Sequence, residues 1–107
     1  MNKLFLAGLF ISIIGCTTAA PKQFYRPVGD TEQVEISGRF NQLSFEHQVL
    51  INGDTVISGE LPYNYDDASF TGSYKQTSVS SDCHWKSKTA LQCLVKMNGE
   101  MAATLAF

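Results

Sequence analysis

The sequence predicts an all-β domain, a small antiparallel meander of six or seven strands that closes as a barrel or folds into a two-layer sandwich. Residues 43–51 and 91–97 alternate apolar and polar side chains with a period of two, which is typical of half-buried strands. Each run is followed by Asn-Gly, a strong hairpin signal, and then by a second alternating run. We find no helical period of useful length after residue 16.

The start of the chain has the pattern of a secretory leader. Residues 1–3 carry one positive charge, and residues 4–14 are an apolar run too short to span a bilayer, which needs about 20 residues. The run ends in Ile13-Ile14-Gly15-Cys16, which resembles the lipobox of bacterial lipoproteins. In that family the chain is cut before the cysteine, which is then lipidated. The resemblance implies a signal peptide at 1–15 and a lipid on Cys16; the alternative is an ordinary signal peptide with a chance cysteine.

The same resemblance implies a location. Lipoprotein-type acylation adds two or three chains, enough for stable anchoring, so the lipid bilayer is the expected partner of Cys16. In enteric-type bacteria, Asp after the cysteine is associated with retention at the inner membrane, and this chain has Thr17 there. We therefore expect a protein anchored in the outer membrane.

Residues 16–32 are predicted to be the lipidated cysteine and a flexible tether, and residues 33–107 the β domain. The stretch after the cysteine contains Pro21 and Pro27 and has no regular period, which is linker composition.

The hairpin registers follow from which side chains must be buried. A simple two-residue turn at Asn52-Gly53 would set apolar residues opposite polar ones, so we expect a three-residue loop or a two-residue turn followed by a bulge. Residues 52–61 and 98–107 look alike at an offset of 46, which indicates two similar hairpins. Val79 has an odd number, whereas Phe70 and Tyr74, the residues on one face of the strand before it, have even numbers. This change suggests a bulge near 76–78.

Cys83 and Cys93 are predicted to form a disulfide, because a secreted chain meets an oxidising compartment. If they face each other, Trp85 faces Leu91 and the turn is 87–89. Closing a loop of about 11 residues stabilises the fold by roughly 2.8 kcal/mol in the chain-entropy model. A redox or metal pair is the alternative, but the spacing lacks the Cys-x-x-Cys signature.

The sequence contains few candidates for catalytic residues or metal ligands. His47 lies on the apolar side of its strand, so we expect a hydrogen-bonded core histidine rather than a ligand or base. Asp82 and His84 share a strand face but lack a third ligand nearby. We therefore predict no catalytic residue, no cofactor and no metal. Eight basic against ten acidic residues make a nucleic-acid partner improbable.

The segment 61–67 is the candidate binding loop, with Tyr63, Tyr65, Asp66 and Asp67 as its candidate residues. Loops on rigid sheets often carry recognition, and Tyr is favoured at interfaces. The alternative is that the tyrosines fold back over the sheet edge.

Two further resemblances concern the domain. The C-terminal run resembles the last strand of small secreted bacterial proteins of uncharacterised function, through Gly99, Glu100, Ala102, Ala103, Thr104, Leu105 and Phe107. Membrane-bound inhibitors of c-type lysozymes are similarly small, lipidated and disulfide-bonded, and their inhibitory loop is similar to Thr71-Gly72-Ser73-Tyr74, which we predict to be strand here.

The predicted function is a non-enzymatic outer-membrane lipoprotein with an interaction or envelope-structural role, whose partner is an envelope protein. The first alternative is an inhibitor of lysozyme or another hydrolase. The second is a metal-binding protein or enzyme that uses His47, or Asp82 with His84.

Overall fold

The computed structural model describes residues 17–27, 29 and 32–107, so the predicted signal peptide and Cys16 lie outside the described residues. The described chain is all-β and forms two four-stranded antiparallel sheets, each with its strands in chain order. The strands are β1 (Thr17–Tyr25), β2 (Val34–Asn41), β3 (Glu46–Ile51), β4 (Asp54–Glu60), β5 (Ala68–Tyr74), β6 (Thr77–Ser87), β7 (Ala90–Met97) and β8 (Glu100–Ala106). The all-β prediction is confirmed, but the described residues form eight strands rather than six or seven, and these do not close as a barrel.

The additional strand, β1, lies in the segment that the sequence predicted as a tether. It pairs antiparallel with β2, and its register shifts between Ala20 and Gln23. Pro21 and Lys22 occupy that bulge, where the missing N–H of proline costs no ladder hydrogen bond. Because the bulge breaks the alternation of inward and outward residues, the strand has no period of two in its sequence. The tether prediction is therefore wrong for Thr17–Tyr25.

The β3–β4 hairpin has a two-residue turn followed by a bulge, one of the two registers that burial favoured. Asn52 and Gly53 both adopt left-handed φ angles, of 52° and 85°, as a type I′ turn requires. The register then shifts between Val49 and Leu50, which brings Val49 opposite Ile57. The bulge thus returns the apolar residues of both strands to one face.

The β7–β8 hairpin repeats this design 46 residues later. Asn98 and Gly99 have φ angles of 52° and 80°, and the register shifts between Val95 and Lys96. Val95 then pairs with Ala103, just as Val49 pairs with its partner in the first sheet. Turn and bulge recur at equivalent positions, so the similarity seen in the sequence extends to backbone geometry.

The β5–β6 hairpin differs from its prediction. It has a two-residue turn at Lys75-Gln76, both with positive φ, and no bulge at 76–78. A two-residue turn pairs even with odd positions, so Gly72 lies opposite Val79. The turn alone explains the change of parity at Val79, and no extra residue is needed.

The β6–β7 hairpin contains the disulfide, with Cys83 opposite Cys93 and Trp85 opposite Leu91, the predicted register. Its turn is shorter than predicted, because the strands pair up to residues 87 and 90 and a bulge precedes Ser87.

One hydrophobic core is shared by the two sheets. Its fully buried members include Ile36, Val49, Ile51, Val79, Cys93, Val95 and Leu105. β4 contacts β5 and β1 contacts β8, so the sheets meet at both edges. Between β1 and β8 the Gln23 side-chain amide replaces a backbone ladder, since its Nε2 donates to the Thr104 carbonyl and its Oε1 accepts from the Thr104 N–H at 3.0 Å.

Candidate binding site at the β1 end of the sandwich

A concave aromatic pocket of about 230 Å³ lies at the end of the sandwich where β1 begins. We call it the aromatic pocket and define it by its five ring-bearing residues. These are Phe40, Phe45, Tyr65, Trp85 and Phe107. Its remaining lining is Thr18, Gln42, Lys88, Thr89 and Leu91. Aromatic walls with a few polar groups are typical of a site that binds a small or partly apolar group.

Phe45 is held in the pocket by the turn between β2 and β3. The Asn41 side chain accepts hydrogen bonds from the Leu43 and Ser44 N–H groups at 2.8 and 3.1 Å. Phe45 has a φ of 61°, which is uncommon for a bulky residue. Its N–H donates to the Asn41 carbonyl at 2.8 Å, and its own carbonyl accepts from the Leu61 N–H at 2.9 Å. These bonds hold the Phe45 backbone in a conformation that an unconstrained chain would rarely adopt.

The loop after β4 brings two tyrosines to this ring. Tyr63 packs on Phe45 with ring centroids 4.8 Å apart, and its hydroxyl donates to the Ser44 carbonyl at 3.0 Å. Tyr65 packs on Phe45 at 5.9 Å and, edge to face, on Trp85 at 4.9 Å. Tyr65 therefore forms part of the pocket wall, while Tyr63 supports Phe45 from outside.

The acidic half of the predicted loop lies elsewhere. Asp66 and Asp67 are exposed and do not line the pocket. The Asn64 amide binds Asp66 from both sides, since Nδ2 donates to its carboxylate at 3.0 Å and Oδ1 accepts from its N–H at 3.2 Å. These contacts shape the loop, so of the four candidate residues only Tyr65 reaches the pocket directly.

Trp85 packs against three other rings of the pocket. Its ring lies 5.6 Å from Phe40 and 5.8 Å from Phe45. The indole Nε1–H is buried and has no hydrogen-bond partner in the described part of the chain. A buried donor without a partner is costly, and ordered water or a ligand group usually satisfies it. Lys88 adds a cation to the same lining.

Sequence reasoning found the loop but missed most of the pocket. The sequence predicts Phe40 and Trp85 as strand residues, Phe45 as part of an alternating run, and Phe107 as the end of the last hairpin. Nothing local marks them as a group, because they come from positions up to 67 residues apart and meet only when the sheets pack together.

His47 is a core histidine, as its strand parity indicated. It is fully buried, with Nδ1 3.3 Å from the Arg39 carbonyl and Nε2 2.9 Å from the Ser81 hydroxyl. Since a carbonyl only accepts, Nδ1 carries the proton and Nε2 accepts from Ser81. Phe70 and Phe107 flank the ring at 5.7 and 5.6 Å. Burial lowers the pKa of His47 to about 4, although the hydrogen bond to the Arg39 carbonyl acts in the opposite direction.

One group of described residues has metal-like spacing. The ligand atoms of His47, Cys83 and Cys93 all lie within 4.8 Å of one another. Both sulfurs are, however, joined in a disulfide, so neither is a free thiolate that could coordinate a metal. Asp82 and His84 lie on β6, half-buried, and belong to no such group among the described residues.

The run that is similar to the lysozyme-inhibitor loop is part of β5, as predicted. A Cβ at Gly72 would lie 2.1 Å from the Val56 carbonyl oxygen, so this position is packed against the backbone of β4. Thr71–Tyr74 therefore does not form an exposed loop.

No protein-family model, curated protein or solved structure matches this chain. The described residues contain no helix that is long and apolar enough to cross a bilayer.

Proposed function

We propose that this chain is a lipid-anchored, non-enzymatic outer-membrane protein that uses the aromatic pocket as its binding site. The observation that carries the proposal is the position of that pocket. It lies beside the first residues of β1, which directly follow Cys16, the residue expected to carry the lipid.

The chemistry of the pocket supports binding rather than catalysis. Among its described lining residues only Tyr65 and Lys88 are titratable, and no carboxylate or imidazole accompanies them. Acid–base or nucleophilic catalysis usually needs a matched pair of such groups within hydrogen-bond distance. His47 is enclosed in the core, where its burial favours the neutral ring.

The pocket is suited to a ligand with a flat or apolar part and a hydrogen-bond acceptor. The rings supply contact area at a low entropic cost, because each has only two side-chain torsions. The Lys88 ammonium supplies a donor. An acceptor-rich amphiphile satisfies both requirements.

The anchor is tested by labelling with radioactive palmitate during expression of the full chain. We expect label in the wild type and in a Thr17→Ala control, and loss of both label and membrane association in Cys16→Ala. An unlabelled wild type, or a Cys16→Ala chain that stays equally membrane-bound, would refute the anchor.

The pocket is tested separately with the fluorescent anionic probe 1-anilinonaphthalene-8-sulfonate added to the full chain. We expect saturable binding that Tyr65→Ala weakens, because one aromatic wall is removed. Met101→Ala is the matched control, since this residue is also exposed but lies on β8 outside the pocket. Equal binding by the two variants would remove the pocket as the binding site.

A further inference from the structure

The end of the sandwich that holds the aromatic pocket also exposes apolar side chains to solvent. The described chain has five exposed large hydrophobic residues, and three lie at this end: Leu43 at 73%, Tyr63 at 62% and Tyr65 at 38% exposure. The other two, Phe24 and Met101, lie on strands β1 and β8. Exposed apolar groups gathered at one place indicate a surface that meets a partner.

These residues lie close to the start of β1. Thr17 pairs with Asn41, the last residue of β2, and the turn that carries Leu43 follows at once. The Gln42 amide in this turn donates to the Thr18 hydroxyl at 3.0 Å. Cys16 directly precedes Thr17 in the sequence, and consecutive residues of a chain are only about 3.8 Å apart. A lipid on Cys16 would therefore hold this end of the domain at the bilayer, because no linker residues separate Cys16 from β1.

The opposite end has a different character. Among the described residues, hairpin turns at that end, at Asn52-Gly53, Lys75-Gln76 and Asn98-Gly99, are polar and exposed. The exposed apolar side chains of the turns and loops, Leu43, Tyr63 and Tyr65, thus lie at the end where β1 begins, which we call the Cys16 end. Phe24 and Met101 are strand residues nearer the opposite end.

We infer that the Cys16 end docks on the lipid surface itself, so that the bilayer is the partner of the aromatic pocket. This inference rests on the proposed lipid anchor and deepens it. We call the docking surface the bilayer face and define it as Leu43, Phe45, Tyr63, Tyr65 and Trp85. Tyr and Trp favour the headgroup level of a membrane, where one side of the ring is apolar and the other wet, and an exposed Leu can insert below them.

Charge decides which lipids are needed. The strand ends and loops at this end carry four acidic residues, Glu46, Glu60, Asp66 and Asp67, and two basic ones, Lys86 and Lys88. Because carboxylates outnumber ammonium groups, electrostatic attraction to anionic lipid is not the driving force. The contact depends on apolar insertion, so zwitterionic phosphatidylcholine should support it as well as mixtures with phosphatidylglycerol.

Trp85 provides the test, because it is the single tryptophan of the chain and part of the bilayer face. The full chain is reconstituted with phosphatidylcholine vesicles whose acyl chains are brominated near the headgroup, and Trp85 fluorescence is compared with that in unbrominated vesicles. We expect quenching of the wild type, loss of quenching in Leu43→Asp, and retained quenching in Phe24→Asp. Leu43 and Phe24 are similarly exposed, and only the backbone of Leu43 bonds to Asn41, so neither variant removes a side-chain hydrogen bond of the fold.

The outcomes separate the inference from the proposed anchor. If the wild type floats with the vesicles but Trp85 is not quenched, or if both variants behave alike, the bilayer face is wrong while the anchor stands. If the wild type floats no better than Cys16→Ala, the anchor is wrong and the inference fails with it.

Discussion

His47 makes the stability of this protein depend on pH in a way that can be measured. The ring is fully buried between two aromatic side chains, and burial lowers its pKa to about 4 from the ordinary 6.5. The unfolded chain takes up this proton near pH 6.5, while the folded chain does so only near pH 4. Between these values the unfolded state binds more protons, so the free energy of unfolding falls as the pH falls.

The magnitude follows from the two pKa values. A difference of about 2.5 units at about 1.36 kcal/mol each corresponds to roughly 3 kcal/mol. This contribution is fully present above pH 6.5 and is lost as the pH decreases to about 4. Since small domains are stable by only about 5–15 kcal/mol, the loss is a substantial part of the total.

The assay compares wild type with His47→Gln by urea unfolding, followed by Trp85 fluorescence, at pH values from 7 to 4. Carboxylates also titrate in this range, but they are common to both proteins, so the difference isolates the imidazole. We expect the wild type to lose about 3 kcal/mol more than the variant. If the two curves of free energy against pH run parallel, or if the His47 imidazole titrates near pH 6.5 by NMR in the wild type, the burial argument is refuted.

Three further predictions concern the fold. Replacing Cys83 and Cys93 together by alanine should cost about 3 kcal/mol in the chain-entropy model, seen as a lower urea midpoint that reductant no longer changes; an unchanged midpoint would contradict it. Gly72→Ala should cost about 1–3 kcal/mol, because its Cβ would meet the β4 backbone, while Ser73→Ala on the exposed side should be near neutral in thermal unfolding. Gln23→Ala should cost about 1 kcal/mol and increase hydrogen exchange at the β8 amide that Gln23 binds, and unchanged exchange would rule out the bridging role.

Much of the fold could be predicted because a strand with one buried face carries its register in its own alternation. Val49 and Ile57 had to share a face, so a two-residue turn at Asn52-Gly53 required a bulge, and the structure has one. Cys83 and Cys93 could be paired in the same way, because both lie on the strand face that carries Trp85 and Leu91.

The failures have physical causes too. β1 was missed because its bulge at Pro21 and Lys22 hides the alternation, and because the side-chain bridge to β8 involves a residue 81 positions away. The turn at Lys75-Gln76 was missed because neither residue is Gly or Asn, although both adopt positive φ there.

The sequence by itself determined that the strands after β1 are present, restricted the Asn52-Gly53 hairpin to two possible forms and identified the partner of each domain cysteine, since all of these depend on neighbours within a hairpin. Only the tertiary structure decided that eight strands form two sheets, and that Phe40, Phe45, Tyr65, Trp85 and Phe107 line one pocket beside the first residues of β1. Those rings come from both sheets and from a loop, and their contacts depend on how the sheets pack, which no local period records.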